Sequence, residues 1–284
     1  MNTQEYVNEL NEMYSKFYCG EKGYCKHWKN CKINNDNIKF YSDRVKIGKD
    51  YGYSEMGNLK IPKIVFVGLE GLHEGISDKC IPSISLDNPI SQPSLDAQNN
   101  HYRGVRYVLS YLITKLNGIS TPKDATIESL ERIDDKQYLS SYCLTNIYKC
   151  AFGKGKSALP HTEGMKKHCQ DIFVEELKIL HPDILVIQVV TSRPDILQLN
   201  VLKEKFVKAE EIERVDRNYN TISYKFLRKD GTPLYCIWTY HGNGGPYYRK
   251  QGGVFVNNKK YIEKELNKVL DATICDYQKS DFRK

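Results

Sequence analysis

The chain has 284 residues, 40% hydrophobic and 27% charged, and its 42 Lys and Arg against 35 Asp and Glu leave a net charge of +7. That length suits one large α/β domain with decorations and a substantial core, and the basic balance favours a polyanionic partner, although solvated surface Lys and Arg give the same figure. No apolar run approaches the ~18 residues of a membrane span, which excludes a spanning helix, and the nine Cys read as reduced thiols of a cytoplasmic protein because Met1–Phe17 is an amphipathic helix candidate, not a signal peptide.

Tyr6, Leu10, Met13, Tyr14 and Phe17 recur at helical spacing and predict a helix over residues 3–17 packed on the body. Cys19, Cys25 and Cys31 follow with five residues in each gap, among Lys and His, a pattern that suits a metal knuckle. Residues 35–61 are polar and Tyr-rich and read as loop and short edge structure. Lys63–Gly75 supplies a buried strand ending at Gly68 in a Gly-rich turn. Ligands of open α/β sheets bind beyond the carboxyl ends of strands, so Glu70, His73 and Glu74 are placed for chemistry, with a cap or turn as the plainer role. Residues 76–100 form a long polar loop with scattered Pro, of the kind that shapes a pocket mouth. A helix then opens near Tyr102 and runs to about Leu116, with Val105, Val108, Leu109 and Leu112 on its apolar face.

The centre of the chain, Ser141–Gln188, reads as a strand (142–148), Cys150, a basic Gly-rich loop, a helix (about 163–180) carrying Cys169, and a second apolar strand (184–188). A crossover of this length is a βαβ unit in a parallel sheet. Asn146 lies four residues before Cys150. The segment Gly153–Ser157 resembles the end of a phosphate loop, but Cys150 stands where its first Gly is required. Lys149, Lys154 and Lys156 suit nucleic-acid backbone contacts or plain solvation. Another helix is expected over residues 194–206, and Thr221–Trp238 reads as a β-hairpin turning at Lys-Asp-Gly-Thr. Its second strand runs into His241 and a Gly loop containing Asn243, Tyr247, Tyr248 and Arg249. A helix over about 259–270 and a charged tail finish the chain. The fold class is α/β: a three-layer α/β/α sandwich with a central, mostly parallel sheet, an N-terminal Cys-rich segment and a hairpin. One domain spans 1–284, with the helix and Cys-rich segment at 1–60, the core at 61–272 and a tail at 273–284.

Thr145-Asn146-Ile147-Tyr148-Lys149-Cys150, a loop, Cys169, a helix and Leu180-His181-Pro182-Asp183-Ile184-Leu185-Val186-Ile187 together resemble the iron–sulfur branch of the uracil-DNA glycosylase superfamily. That family writes TN, two residues, KC, a Pro/Gly-rich loop, Cys, a helix and an apolar strand. The resemblance implies a uracil-DNA-glycosylase-like fold and a structural 4Fe-4S cluster held by Cys25, Cys31, Cys150 and Cys169. Cys19 is able to replace Cys25, and zinc is the alternative ion. It further implies that Asn146 pairs with a pyrimidine edge, Glu70 or Glu74 holds the attacking water, and His241 stabilises the leaving base. Tyr102 would stack on the flipped base, Gly68 and Asn243 would line its pocket, and Lys149, Lys154, Lys156, Tyr247 and Arg249 would contact DNA.

Several departures from the family bear on the substrate. The Glu of Gly68-Leu69-Glu70-Gly71-Leu72 is shifted by one and the Pro of that turn is missing, Gly242 replaces the Pro that follows the family's His, and the Cys gaps are wider. The expected activity is therefore hydrolysis of the N-glycosidic bond of a flipped, modified pyrimidine. A bulky phage base such as glucosylated hydroxymethylcytosine, removed in antiviral defence, is one substrate, and uracil in base-excision repair is the alternative. A non-catalytic iron–sulfur nucleic-acid-binding module and a hydrolase of free nucleosides are the competing classes. DNA is the expected partner of a monomer.

Overall fold

In the computed structural model the described residues are 1–20, 25–31, 39–42, 44–68, 100–119, 138, 140–154, 157–158, 162–189, 202, 206–215, 221–240, 248–251, 254–257 and 262–281. Helix α1 (Thr3–Phe17) begins with a capping box: Asn2 accepts from the Glu5 N–H while the Glu5 carboxylate accepts from the Asn2 N–H. A 15-residue helix is marginal alone. Tyr6, Val7, Leu10, Met13 and Tyr14 are buried on one face, at roughly 1.5–3 kcal/mol for each large apolar side chain, so packing holds it. After it come a short turn of helix, α2 (Trp28–Cys31), and four short strands, β1 (Lys39–Ser42), β2 (Lys46–Ile47), β3 (Glu55–Met56) and β4 (Leu59–Lys60). These match the short edge structure expected for residues 35–61.

Strand β5 (Ile64–Gly68) is buried along its whole length, and α3 (Asn100–Leu116) carries the apolar face expected of it. Next are β6 (Tyr142–Asn146), β7 (Cys150–Lys154), β8 (Ser157–Ala158), α4 (Glu163–Leu180) and β9 (Ile184–Val189). The Thr162 hydroxyl caps α4 by accepting from the Met165 N–H at 3.2 Å, and His181 ends it in the left-handed region at φ 43°. Then follow β10 (Lys208–Val215), the hairpin β11 (Thr221–Leu227) and β12 (Pro233–Tyr240), and the ribbon β13 (Tyr248–Gln251) and β14 (Val254–Asn257). A π-helical turn (Ile262–Leu266) runs into α5 (Asn267–Asp281).

Seven strands form the main sheet in the order β10–β11–β12–β9–β5–β6–β2. The pairings β12/β9, β9/β5 and β5/β6 are parallel, and antiparallel strands complete both edges, so five of the seven strands point one way. Strands alternate their side chains between faces. Val65, Val67, Cys143, Leu185, Ile187 and Trp238 pack with α1 and α4, whereas Ile64, Phe66, Tyr142, Val186 and Ile237 pack with α3 and α5. Helices thus cover both faces of a mixed α/β fold. Among the described residues no helix is long and apolar enough to cross a membrane.

The central strand–helix–strand unit is parallel as expected, with β5 lying between its two strands, β6 and β9. Two expectations are corrected. The described part of the basic stretch after Cys150 is strand, not loop: β7 pairs with β1 and β8 in a small antiparallel sheet. The chain's end is not a loose tail, since α5 continues to Asp281 and buries Val269, Leu270 and Ile274 against the second core. Strand β10 was not anticipated, because its sequence KAEEIERV lies on an exposed edge and carries almost no apolar alternation. Of the helix expected at 194–206, only Leu202 and Phe206 fall within the described residues.

Candidate functional site at the carboxyl edge and the thiol cluster

Because β5, β6, β9 and β12 are parallel, their carboxyl ends share one edge, where ligands of open α/β sheets bind. The register lines up a polar row there. Gly68 pairs with Asn146, and Gln188 pairs with Thr239. Val67 pairs with Ile187, so Gln188 stands one step further along, beside Gly68. By alternation all four residues occupy the face covered by α3 and α5. The Ile147 N–H donates to the Gly68 carbonyl at 3.0 Å and carries the β5/β6 ladder one residue past the strand ends. A Cβ on residue 68 would lie 2.5 Å from Asn146 Oδ1, so the glycine is what lets the Asn146 carboxamide lie over β5. Gln188 and Thr239 are buried. Neither the Oε1 nor the Nε2 of Gln188 has a hydrogen-bond partner. Carboxamides both donate and accept, so this row has the chemistry to read the edge of a planar heterocycle.

The groups expected to carry the bond cleavage, Glu70, Glu74 and His241, lie outside the described residues, as do His73, Asn243, Tyr247 and Lys156. In the chain Glu70 is two residues past Gly68, and His241 follows Tyr240, the last residue of β12. Tyr102, Lys154 and Arg249 have described backbone in α3, β7 and β13, but their side chains lie outside the described set.

Lys149 is corrected. It was expected on DNA phosphates, yet it is 1% exposed. Its ammonium donates to the Glu176 carboxylate on α4 and to the Thr145 hydroxyl. The Thr145 hydroxyl also donates to Glu176 at 2.7 Å. The Tyr14 hydroxyl donates to the other carboxylate oxygen and accepts from the Val45 N–H at 3.0 Å. Burial, and then the Glu176 carboxylate, hold the Tyr14 phenol well above its usual range. Every charge in this network is paired and hydrogen-bonded, which is the condition for keeping ions in a core. It ties α1 and α4 to Thr145 near the end of β6, on the face opposite Asn146. Residue type alone missed Glu176 and Tyr14.

The second assembly is a set of thiols. Cys25, Cys31 and Cys169 are all buried in the core between α1, α2 and α4. Burial pushes the Cys31 thiol up to about 12, with Cys169 and Cys25 adding to the rise, and burial likewise raises Cys25. Thr162 Oγ1 donates to the Cys31 carbonyl at 3.2 Å, and a Cβ on Gly164 would lie 2.5 Å from the Asn30 carbonyl oxygen. The first turn of α4 is therefore docked on α2, which brings Cys169 to the N-terminal pair. Cys19 is exposed, so Cys25 is the thiol that faces the other two. Cys150 pairs through its backbone with Ser42, and its side chain lies outside the described set. Among the described residues no three His, Cys, Asp or Glu stand in metal-ligating geometry. The donor chemistry nevertheless fits a soft cation: buried thiols that resist ionising together become compatible thiolates once a metal neutralises them. Cys143 and Cys236 are core thiols and Cys275 is exposed. Cys80 lies outside the described residues.

A cavity of about 580 Å³ lies at the opposite end of the sheet, between the end of α4 and the β11–β12 turn, lined by Leu177, His181, Phe206, Arg228 and Leu234. It is remote from the polar row. No family model matches this chain, and no curated protein does.

Proposed function

We propose that the protein is a DNA glycosylase of uracil-DNA-glycosylase-like fold, hydrolysing the N-glycosidic bond of a flipped, modified pyrimidine and leaving an abasic site. The observation that carries this reading is the carboxamide of Asn146 lying over Gly68 at the carboxyl edge of parallel strands. A base must leave the duplex stack and be gripped by its edge before its glycosidic bond is cut, and Asn146 offers both a donor and an acceptor for that grip. Glu70, with Glu74 in reserve, would position water and stabilise positive charge on the sugar. His241 would stabilise charge on the departing base. Cys25, Cys31, Cys150 and Cys169 would hold a 4Fe-4S cluster or a zinc ion, whose chemistry here is to bind thiolate and so tie the N-terminal segment to the central one. The net charge of +7 supports DNA as partner. The altered turn after Gly68 and the long segment 76–100 favour a bulky phage base such as glucosylated hydroxymethylcytosine over uracil.

The test incubates the purified protein with uracil-containing DNA, unmodified DNA and glucosyl-hydroxymethylcytosine phage DNA, scoring alkali-labile sites and released bases by mass spectrometry. Iron, sulfide and zinc are quantified on the same sample. Base release from the phage DNA is expected. Efficient release of uracil alone assigns a repair enzyme, and binding without release from any DNA overturns the enzymatic reading.

A further inference from the structure

We infer that Gln188 is a specificity-determining residue that reads the pyrimidine together with Asn146; this rests on the glycosylase reading above. Strand β9 is otherwise apolar, Ile-Leu-Val-Ile before Gln188 and Val after it, and Gln188 is 1% exposed. Both polar atoms of its carboxamide are closed to solvent and lack a hydrogen-bond partner. A buried amide in that condition is strongly penalised, and Met or Leu of similar volume would fill the position without penalty. A glutamine is accounted for there if a ligand completes it.

Its place in the fold says which ligand. Gln188 stands in the row Asn146–Gly68–Gln188–Thr239 on adjacent parallel strands. Asn146 and Thr239 have interactions of their own within the protein. Among the described residues, only Asn146 comes within 4 Å of the position a Cβ would take on Gly68. At Gly68 the row between the two carboxamides is thus backbone without a side chain. Among the described residues, Trp238 Nε1 and Ser223 Oγ are also buried without a partner, but both fall outside the row. Trp238 Nε1 is on the opposite face, and Ser223 is on β11, opposite Ile237 and away from the edge. A carboxamide places a donor and an acceptor side by side. That matches the ring nitrogen and 4-substituent of a pyrimidine: an acceptor beside an amino group in cytosine derivatives, a donor beside an oxo group in uracil. Asn146 and Gln188 together supply four hydrogen-bonding atoms to one base edge.

The experiment uses the full chain with Gln188→Met and Gln188→Leu. It measures kcat/KM for the base the wild type releases, Kd for the same duplex carrying a stable abasic analogue, and Tm. Loss of a hydrogen-bonding pair to the base is expected to lower kcat/KM by roughly 10- to 100-fold. The abasic-duplex Kd should stay within about twofold, since no base is present to be read, and Tm should hold or rise. Unchanged kcat/KM in both variants overturns the inference, as does a failure of both to fold, because the amide then serves the core. If the wild type releases no base from any of the DNAs, the glycosylase reading itself has failed and the inference falls with it.

Discussion

Replacing Lys149 with Met takes a cation away from a carboxylate that has no access to water: Lys149 and Glu176 side chains are 1% and 0% exposed. Breaking a buried pair from one side costs about 3–5 kcal/mol, chiefly because the remaining charge is left uncompensated. Glu176 keeps the Tyr14 and Thr145 hydroxyls as donors, so the lower part of that range applies. At roughly 2 °C per kcal/mol for a chain this large, Lys149→Met should lose roughly 6–8 °C in Tm. Adding Glu176→Gln removes the stranded charge while retaining an oxygen for the hydroxyls, and the cycle should show a coupling of about 2 kcal/mol or more. Urea denaturation of the four proteins supplies that cycle. Titrating DNA affinity against salt separates the two roles for Lys149. A phosphate contact would reduce the salt slope by about 1 on mutation, whereas a core ion leaves it unchanged. A Tm within ~1 °C of wild type together with a reduced slope would refute the buried network and restore Lys149 to the DNA surface.

Gly68→Ala tests the close approach at the edge. Its Cβ meets the end of a side chain, not backbone, so the protein should fold with a loss below about 1 kcal/mol while Asn146 is displaced and base release falls roughly tenfold or more. Full activity in the alanine variant would show that Asn146 works from another position. Asp230 sets an acid-range dependence. Hydrogen bonds from the Thr232 hydroxyl and N–H hold its carboxyl at about 2, below the ordinary 3.8. With the folded value depressed, its contribution is complete above pH ~4 and is lost as pH falls through about 2. The group is largely exposed, so Asp230→Asn should cost under about 1 kcal/mol at pH 7 and only a small part of that at pH 2, read from urea midpoints at the two pH values. An equal cost at both would assign the effect to turn geometry and not to charge.

Local pattern carried much of the fold. The helix at Thr3–Phe17, the helix at Glu163–Leu180 and the hairpin of β11 and β12 are legible in the sequence because each depends on residues a few positions apart. Apolar spacing, the Thr162 cap and a turn whose Gly231 adopts φ +83° all speak locally. The strand end at Gly68 was equally visible, as an apolar run stopping at a glycine, whereas the strand expected over 142–148 stops at Asn146. Gln188 had a signal too, a lone amide in an apolar strand.

Tertiary structure alone decided the rest. Insertion of β5 between β6 and β9 is a choice among long-range pairings that no single segment encodes. The edge strand β10 and the length of α5 depend on what packs beside them, with α5 gaining its last turns from the second core. Lys149 reads as the same basic residue whether it faces water or Glu176, which is 27 positions away. Cys25 and Cys31 meet Cys169 only because the first turn of α4 docks on α2. Residue type and spacing determined which groups this protein can use; burial and partner, set by contacts distant in sequence, decided which of them are buried in its core.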